Sequence, residues 1–183
     1  MSEGDSWESS RMFSWEILIC PDKILGANSG STLERESIAF AYPVNVFYTI
    51  DPNSEDGFYS ADIHIQNNSK VPVKVNIESF KVSSDGELVF QDVLPDSMDW
   101  YALNRQDTRS YIALGLQYVD HTQWLYSQAE LMEPLYAVEI ENTFIGALSK
   151  ESGAALQLRA YHGLAFDGNY TAKHDLVFVV SLL

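Results

Sequence analysis

The sequence predicts an all-β protein: a β-sandwich of jelly-roll or immunoglobulin-like type, preceded by an N-terminal arm. Three observations predict this class. Apolar and polar residues alternate through most of the chain, which is the pattern of strands with one buried face. Clusters of Gly, Pro, Asn, Asp and Ser interrupt the alternation at short intervals. Helical periodicity is weak, and many short strands separated by turns favour a sandwich.

Residues 1–37 form the arm in this prediction, and residues 38–183 form the sandwich domain. Serine and glycine are frequent in the arm, but its large apolar side chains are costly to leave in water. Alternation over positions 13–19 predicts a strand, which Pro21 ends. We therefore expect the arm to dock, either on its own domain or on a neighbouring subunit. The expected interface residues are Trp7, Phe13, Trp15, Ile17 and Ile19.

The strands of the domain begin at residue 38. Alternation over 38–50 and 61–65 predicts the first strands, and polar clusters at 51–57 and 66–69 predict the turns that follow them. The clearest alternation in the chain covers 71–77, where valine and isoleucine occupy every second position. This segment is predicted to be a strand with one face in the core.

The apolar parity changes after Ile77, because Phe80 and Val82 occupy the other set of alternate positions. One extra residue restores the inward face, so the sequence predicts a β-bulge at Glu78–Ser79. Beyond it, Asp85-Gly86 lies between apolar residues and predicts a hairpin turn.

Later strands are predicted over 109–119, 135–145, 156–161 and 176–182. The last of these is apolar at both sets of alternate positions, which predicts a strand buried on both faces. Residues 123–131 have a weak helical period, and we expect either one short helix or a loop there.

The composition excludes several classes of function. The chain has 11 basic and 26 acidic residues, a formal net charge of −15, and 46% hydrophobic residues. Repulsion by phosphate and anionic lipid predicts no nucleic-acid partner and no membrane partner, and no apolar run approaches the roughly 20 residues of a membrane span. The single cysteine, Cys20, excludes an internal disulfide and a cysteine-rich zinc site.

The sequence contains no motif of an activated nucleophile, a phosphate-binding loop or a dinucleotide site. We therefore expect no catalytic residues, no cofactor and no enzymatic activity. The four histidines lack the spacing of a zinc site, and His64 is expected to face solvent. Asp51 and Asn53 begin a segment similar to a calcium loop, but Asp56 stands where that loop needs glycine. A turn without a metal is expected.

Tyrosine and tryptophan are concentrated between positions 100 and 126. Such side chains serve core packing, protein interfaces or the stacking of sugar rings, and the sequence leaves these three roles open. If the ligand is a carbohydrate, the expected binding residues are Trp100, Tyr101 and Trp124.

The first residues are acidic, whereas a secretory signal begins with basic residues and continues into an apolar core of about 7–15 residues. We therefore expect synthesis in the cytosol without export. The alternative is that a signal peptide has been removed from the sequence.

Four segments resemble a pattern of secreted surface β-sandwich proteins of Gram-positive bacteria. The first two are Ile50–Asn53 and Phe58–Ile63. The third, Ile65–Val75, has the sequence I-Q-N-N-S-K-V-P-V-K-V, and the fourth, His162–Phe166, has the sequence H-G-L-A-F. The resemblance implies a sandwich module of a cell surface. The chain departs from those proteins in lacking an export signal and a C-terminal anchor. This departure suits a structural protein of a phage of such bacteria, because virion proteins assemble without a signal peptide.

The sequence thus predicts a structural subunit of a multisubunit assembly that docks through its arm on other protein subunits. The predicted setting is a virion surface, as a capsid-decorating or tail protein made in the host cytoplasm. Two alternatives remain open. One is an adhesin or matrix module of a Gram-positive cell surface, which requires a signal peptide; the other is a carbohydrate-binding module.

Overall fold

The structure is a computed structural model that describes residues 16–18, 38–43, 46–54, 57–128 and 132–183, with the backbone alone for the first of these ranges. Strands dominate these residues, and the predicted all-β sandwich is confirmed. Trp7, Phe13, Trp15 and Ile19 of the predicted interface lie outside the described residues.

Thirteen strands are present in the described chain. They are β1 (Glu16–Leu18), β2 (Phe40–Ala41), β3 (Tyr48–Ile50), β4 (Phe58–Ser60), β5 (Ile63–Asn67), β6 (Val73–Ser83), β7 (Gln91–Asp92), β8 (Tyr111–Tyr118), β9 (Tyr126–Ser127), β10 (Leu135–Tyr136), β11 (Glu141–Leu148), β12 (Ser152–His162) and β13 (Lys173–Leu182). The helical elements are one α-helix, α1 (Arg105–Thr108), and the 3₁₀ turns Pro95–Ser97, Trp100–Ala102, His121–Gln123 and Ala137–Glu139. In this part of the chain no helix is long and apolar enough to cross a membrane.

The strands form two main sheets. The first has the order β1-β13-β6-β11-β9, and the second has the order β10-β8-β12-β5-β2 with β7 also beside β8; β3 and β4 form a separate ribbon. Among these strands only β1–β13 and β7–β8 pair in parallel. From β5 onward, every connection except β7–β8 carries the chain to the opposite sheet. Strands that follow one another in the sequence therefore lie on opposite sides of the core.

The core lies between the two sheets and is built from the inward parity of the long strands. It includes Ile63 and Ile65 of β5, Val73, Val75 and Ile77 of β6, Ile112, Leu114 and Leu116 of β8, Leu156 and Leu158 of β12, and Leu176 and Phe178 of β13. The outward residues of β13, such as Val177 and Val179, are half-buried. The prediction that this strand is buried on both faces therefore overestimated its outer face.

The predicted β-bulge is confirmed. Val177 of β13 pairs with Ser79, and the next residue, Phe178, pairs with Ile77, so Glu78 is the extra residue of β6. Because of this insertion, both Ile77 and Phe80 face the core. The bulge therefore corrects the parity change that the sequence contains.

The predicted hairpin at Asp85–Gly86 is wrong, because the chain leaves β6 and crosses to the second sheet as β7. The backbone passes very close to the segment before β13 at this point. A Cβ atom on Gly86 would lie 2.7 Å from the Cα atom of Ala172. The glycine therefore permits a close crossing of two chain segments rather than a tight reversal.

A short helix over 123–131 is not found in its described part, 123–128. The chain instead leaves a 3₁₀ turn and enters β9, and the Leu125 N–H donates to the carbonyl of Ala147 at 2.8 Å. Trp124 turns into the core, where its ring contacts Tyr118 at a centroid distance of 5.3 Å. Burial of the indole and pairing with β11 outweigh the weak helical period.

A buried asparagine joins two of the crossings between sheets. The Asn67 side-chain amide donates to the carbonyls of Val71 (2.9 Å) and Ser149 (2.8 Å), and its oxygen accepts from the Ser69 N–H (2.9 Å). Its side chain thus ties the turn after β5 to the turn after β11. The Ser69 hydroxyl in turn accepts a hydrogen bond from the Ala39 N–H at 2.8 Å.

Candidate functional site

The outer face of the second sheet contains a groove, which we call the aromatic groove. Its floor comes from the outward residues of neighbouring strands, since paired residues point to the same face of a sheet. Arg159 of β12 lies opposite Gly115 of β8, and Tyr161 lies opposite Ala113. The two small residues make room for the aromatic side chains of the groove, because a Cβ atom on Gly115 would lie 3.2 Å from the Tyr136 ring and Ala113 is buried against Trp100 and Tyr136.

One wall of the groove is the segment of 3₁₀ turns before α1. The Trp100 indole N–H donates to the carbonyl of Pro95 at 2.7 Å, and this tryptophan is only 7% exposed. Its neighbour Tyr101 is 83% exposed. The Asp99 carboxylate accepts from the Tyr101 N–H at 3.2 Å and so caps the turn that presents this tyrosine.

The opposite wall comes from β10 and the residues just before it. Tyr136 pairs with Gly115, and its ring centroid lies 6.5 Å from that of Tyr161. The Trp100 ring centroid lies at the same distance, 6.5 Å, from that of Tyr161. The groove has a volume of about 560 Å³. Its lining also includes Gly57 and Phe58 at the start of β4, together with Glu133, Pro134, Ala160, His162 and Leu164.

A polar network centred on Gln117 fixes one end of the floor. Its amide nitrogen donates to the carbonyl of Met132 at 2.8 Å. Its amide oxygen accepts from Arg159 Nε at 3.2 Å and from the Gln157 amide at 3.4 Å. The guanidinium of Arg159 is therefore held through Nε, and its Nη atoms make no hydrogen bond to any described residue.

Two ring side chains in the groove have shifted proton affinities. Burial lowers the pKa of His162, while the hydrogen bond between its Nδ1 and the Gly163 carbonyl (3.0 Å) opposes that shift. Burial, followed by Tyr161 and nearby carboxylates, raises the pKa of Tyr136 to about 12. The Tyr136 hydroxyl therefore keeps its proton at neutral pH and can donate a hydrogen bond.

Trp100 and Tyr101, two of the three predicted ligand-binding residues, line this groove. Trp124, the third predicted ligand-binding residue, does not line the groove. It is 6% exposed in the core, and a Cβ atom on Gly146 would lie 2.4 Å from its ring. The missing side chain of Gly146 is what makes room for the indole.

Tyr136, Arg159 and Tyr161 belong to the groove but were not predicted as site residues. The sequence contained one pattern from which Arg159 and Tyr161 could have been predicted. Arg159 and Tyr161 occupy the outward parity of a strand whose inward positions are Leu156 and Leu158. An arginine and a tyrosine alternating on a solvent face mark a surface with binding chemistry more often than a plain polar face does.

Ile17 is the one predicted interface residue within the described chain. It lies in β1, which adds to the edge of the first sheet in parallel with β13, and its Cα partner is His174. The pairing extends from Glu16 with Lys173 to Leu18 with Asp175. A segment of the arm thus occupies the outer edge of β13.

His174 is fully buried on the inward face of β13. Its Nε2 lies 3.4 Å from the Asp92 carboxylate of β7, so this contact joins the two sheets, and its ring packs 5.7 Å from that of Phe80. Nδ1 has no hydrogen-bond partner among the described atoms. A cavity of about 310 Å³ adjoins Asp92, with Lys81 and Glu141 in its lining.

Within the described ranges no three His, Cys, Asp or Glu side chains are placed to hold a metal ion. His64 is exposed, as predicted. The Asp51 carboxylate accepts from the Asn53 backbone N–H at 2.9 Å, which is the geometry of a polar turn.

The described chain is thus an all-β sandwich with an arm strand at one sheet edge and an aromatic groove on one outer face. No protein-family model and no curated protein matches the sequence.

Proposed function

We propose that the protein is a structural subunit of a multisubunit assembly and that its arm docks by adding a strand to a sheet. One observation carries the proposal: Glu16–Leu18 pairs in parallel with Lys173–Asp175 at the edge of the first sheet. Addition of an extended segment to a sheet edge is a common mode of protein association. Backbone hydrogen bonds then supply affinity, while side chains supply specificity.

Strand β13 needs a partner on this side. It pairs with β6 along its other edge, over Lys173–Leu182. Without β1, Lys173–Asp175 at the start of β13 would present unpaired N–H and C=O groups at the sheet edge. The arm covers this edge, and a copy of the arm from a neighbouring subunit would cover it equally well.

The arm is long enough to reach a neighbour. Residues 19–39 separate β1 from β2. At about 3.3 Å per residue, a segment of this length spans at most roughly 70 Å when extended. Since exchange of a strand between identical chains keeps the same pairing, the assembled state needs no new interface for β1.

Side chains of the arm add to the backbone pairing in this proposal. Burial of a large apolar side chain contributes roughly 1.5–3 kcal/mol before the cost of ordering. The arm provides five such residues, Trp7, Phe13, Trp15, Ile17 and Ile19. The acidic chain, with a net charge of −15 over its 183 residues, would keep the outer surface of the assembly soluble.

The setting that we propose is a virion exterior, with a Gram-positive cell surface as the alternative. Both rest on the resemblance of Ile65–Val75 and His162–Phe166 to surface sandwich modules. The genes beside this one discriminate between them. Capsid and tail genes would support the virion, whereas an upstream signal peptide in the reading frame would support the cell surface.

The variant Ile17→Pro tests the docking of the arm. Proline removes a backbone N–H and is poorly tolerated inside a paired strand, whereas the control Ile17→Val keeps the N–H and the strand propensity. We expect the full chain and the valine variant to gain mass with concentration in light-scattering experiments, while the proline variant stays monomeric. Monomers of the full chain at every concentration would refute the proposal.

A cross-linking experiment keeps the proposal testable if the proline variant fails to fold. Two chains are co-expressed in a Cys20→Ser background, one with Leu18→Cys and the other with Asp175→Cys, since these positions are Cα partners. Exchange of the arm predicts a disulfide-linked dimer on a non-reducing gel. Placing both substitutions in one chain gives the matched control for pairing within a subunit. If the co-expressed chains form no disulfide-linked dimer while the control chain forms its internal disulfide, exchange of the arm is excluded.

A further inference from the structure

We propose that the aromatic groove binds a neutral oligosaccharide, with Tyr101 and Tyr161 as stacking platforms and Arg159 as a hydrogen-bond donor. This role goes beyond assembly and does not depend on it, because the groove lies on the second sheet while β1 lies on the first. Its volume of about 560 Å³ falls within the range of ligand clefts, about 300–1,000 Å³.

Tyr161 has the placement of a stacking residue. It is 50% exposed although its ring centroid lies 6.5 Å from the rings of both Trp100 and Tyr136. The neighbouring rings are tilted by 33° and 45° and limit its movement without covering it. The C–H face of a pyranose ring is apolar, so placing it on such an exposed aromatic ring removes apolar surface from water on both sides.

Tyr101 offers a second ring at the edge of the same groove. It is the most exposed large apolar residue of the described chain, at 83%, although its backbone is held in a turn capped by Asp99. Core packing does not explain a tyrosine in this position. A rigid backbone with an exposed ring suits ligand contact, because little conformational entropy is lost on binding.

The polar groups of the groove match sugar hydroxyls, which both donate and accept hydrogen bonds. Arg159 presents free Nη donors while Gln117 holds its Nε, so the guanidinium is oriented before the ligand arrives. Glu133 contributes a carboxylate, which only accepts. A donor and an acceptor at one site are satisfied together by vicinal hydroxyls.

The charge of the surroundings excludes acidic ligands. The carboxylates of Asp96, Glu133 and Glu139 all lie close enough to act on the Tyr136 hydroxyl. Together with the net charge of −15, they repel phosphorylated or uronic polymers. A proline-rich peptide also fits an aromatic groove, but it offers mainly carbonyl acceptors. A sugar hydroxyl can donate to the exposed Glu133 carboxylate whereas a proline-rich peptide cannot, so a neutral sugar is favoured.

The test titrates the full chain with hexasaccharides of cellulose, chitin, laminarin and mannan and with a decaproline peptide, by calorimetry and NMR. The variants are Tyr161→Ala, at a half-exposed position, and Tyr101→Ala, at an exposed one, and each is titrated after its circular dichroism spectrum matches that of the unmodified chain. The matched control is Tyr126→Ala, because Tyr126 is 60% exposed but belongs to β9 of the other sheet.

We expect at least one sugar to bind and each groove substitution to weaken its binding about tenfold or more, which corresponds to the loss of one aromatic contact. The Tyr126 control should bind like the unmodified chain. The proposal is overturned if no sugar of the panel binds at millimolar concentration, if both groove variants bind normally, or if decaproline alone occupies the groove.

Discussion

Three buried polar side chains connect parts of the fold that are distant in sequence. Asn67 joins the turns after β5 and β11, and His174 contacts Asp92 across the two sheets. Tyr118 of the second sheet donates to the Ile145 carbonyl of the first and accepts from the Gln128 N–H at 2.8 Å. Asn67 and Tyr118 thus replace water at backbone groups that would otherwise be buried without a partner, whereas His174 meets a side-chain carboxylate.

Asn67→Ala should destabilise the protein by about 1–3 kcal/mol, because it removes the partner of two carbonyls and one N–H in a buried turn. The adjacent Asn68 is exposed, so Asn68→Ala is the matched control and should change stability by less than about 0.5 kcal/mol. Urea unfolding followed by tryptophan fluorescence measures both. Equal effects of the two substitutions would contradict the proposed role of Asn67.

Burial raises the pKa of Tyr118 from 10.0 to about 12. In the unfolded chain this hydroxyl ionises at its ordinary pKa, so above that pH the unfolded state binds fewer protons than the folded state. The contribution of Tyr118 to stability is therefore complete below pH 10 and is lost as the pH rises through about 12.

Comparison with Tyr118→Phe isolates this effect, because phenylalanine does not ionise. The free energy of unfolding of the unmodified chain should exceed that of the variant at pH 8, and the difference should shrink at pH 11. Urea titrations at the two pH values measure it. A difference that stays constant would show that Tyr118 ionises equally in both states.

At the scale of elements, period-2 alternation predicted the strands well, because it reports burial of one face of a sheet. The bulge at Glu78 was predictable for the same reason, since a parity change must be corrected wherever one face stays in the core. The turn at Asp85–Gly86 was not, because its path depends on Ala172, a contact made late in the chain. Local turn residues do not report such distant neighbours.

The groove was only partly predictable for a similar reason. Trp100 and Trp124 have the same local signal, yet the first borders the groove while the second fills space above Gly146. Which of the two buried tryptophans borders the groove depends on residues in other strands, and a single sequence does not contain that pairing.

Deletions in β6 test the bulge as an element. Removing Glu78 keeps Val75, Ile77 and Phe80 on the inward face, because the extra residue alone is lost. Removing Lys81, at a regular position, turns one end of the strand over. We expect the Glu78 deletion to fold with reduced stability and the Lys81 deletion to unfold, as measured by circular dichroism and thermal melting. A more damaging Glu78 deletion would contradict the assignment.

At the scale of the whole molecule, negatively charged side chains outnumber positively charged ones, 26 to 11. The net charge of −15 belongs to a chain of only 183 residues, and such a charge destabilises a compact state through self-repulsion. The described ion pairs are few and include the exposed Arg109–Asp167 contact at 3.5 Å, an arrangement that contributes little. Screening should therefore act mainly on repulsion rather than on attractive pairs.

We expect the melting temperature to rise by roughly 2–4 °C when sodium chloride is raised from low ionic strength to about 0.5 M. Differential scanning calorimetry measures the shift. Ile17→Pro, tested in parallel, separates screening within a subunit from salt-dependent association, because the monomer should show the same rise. A melting temperature that falls with salt would mean that attractive pairs outweigh the repulsion.

Ile17 and His174 pair in parallel but are synthesised at different times, because they lie near opposite ends of the sequence. During translation the arm leaves the ribosome long before β13 exists, and at about 5–20 residues per second this delay lasts on the order of ten seconds. Throughout that interval the nascent arm has no edge of its own chain to join. In a finished copy that edge is covered by its own β1, so under the proposed exchange a nascent chain on the same messenger RNA would have to displace that strand.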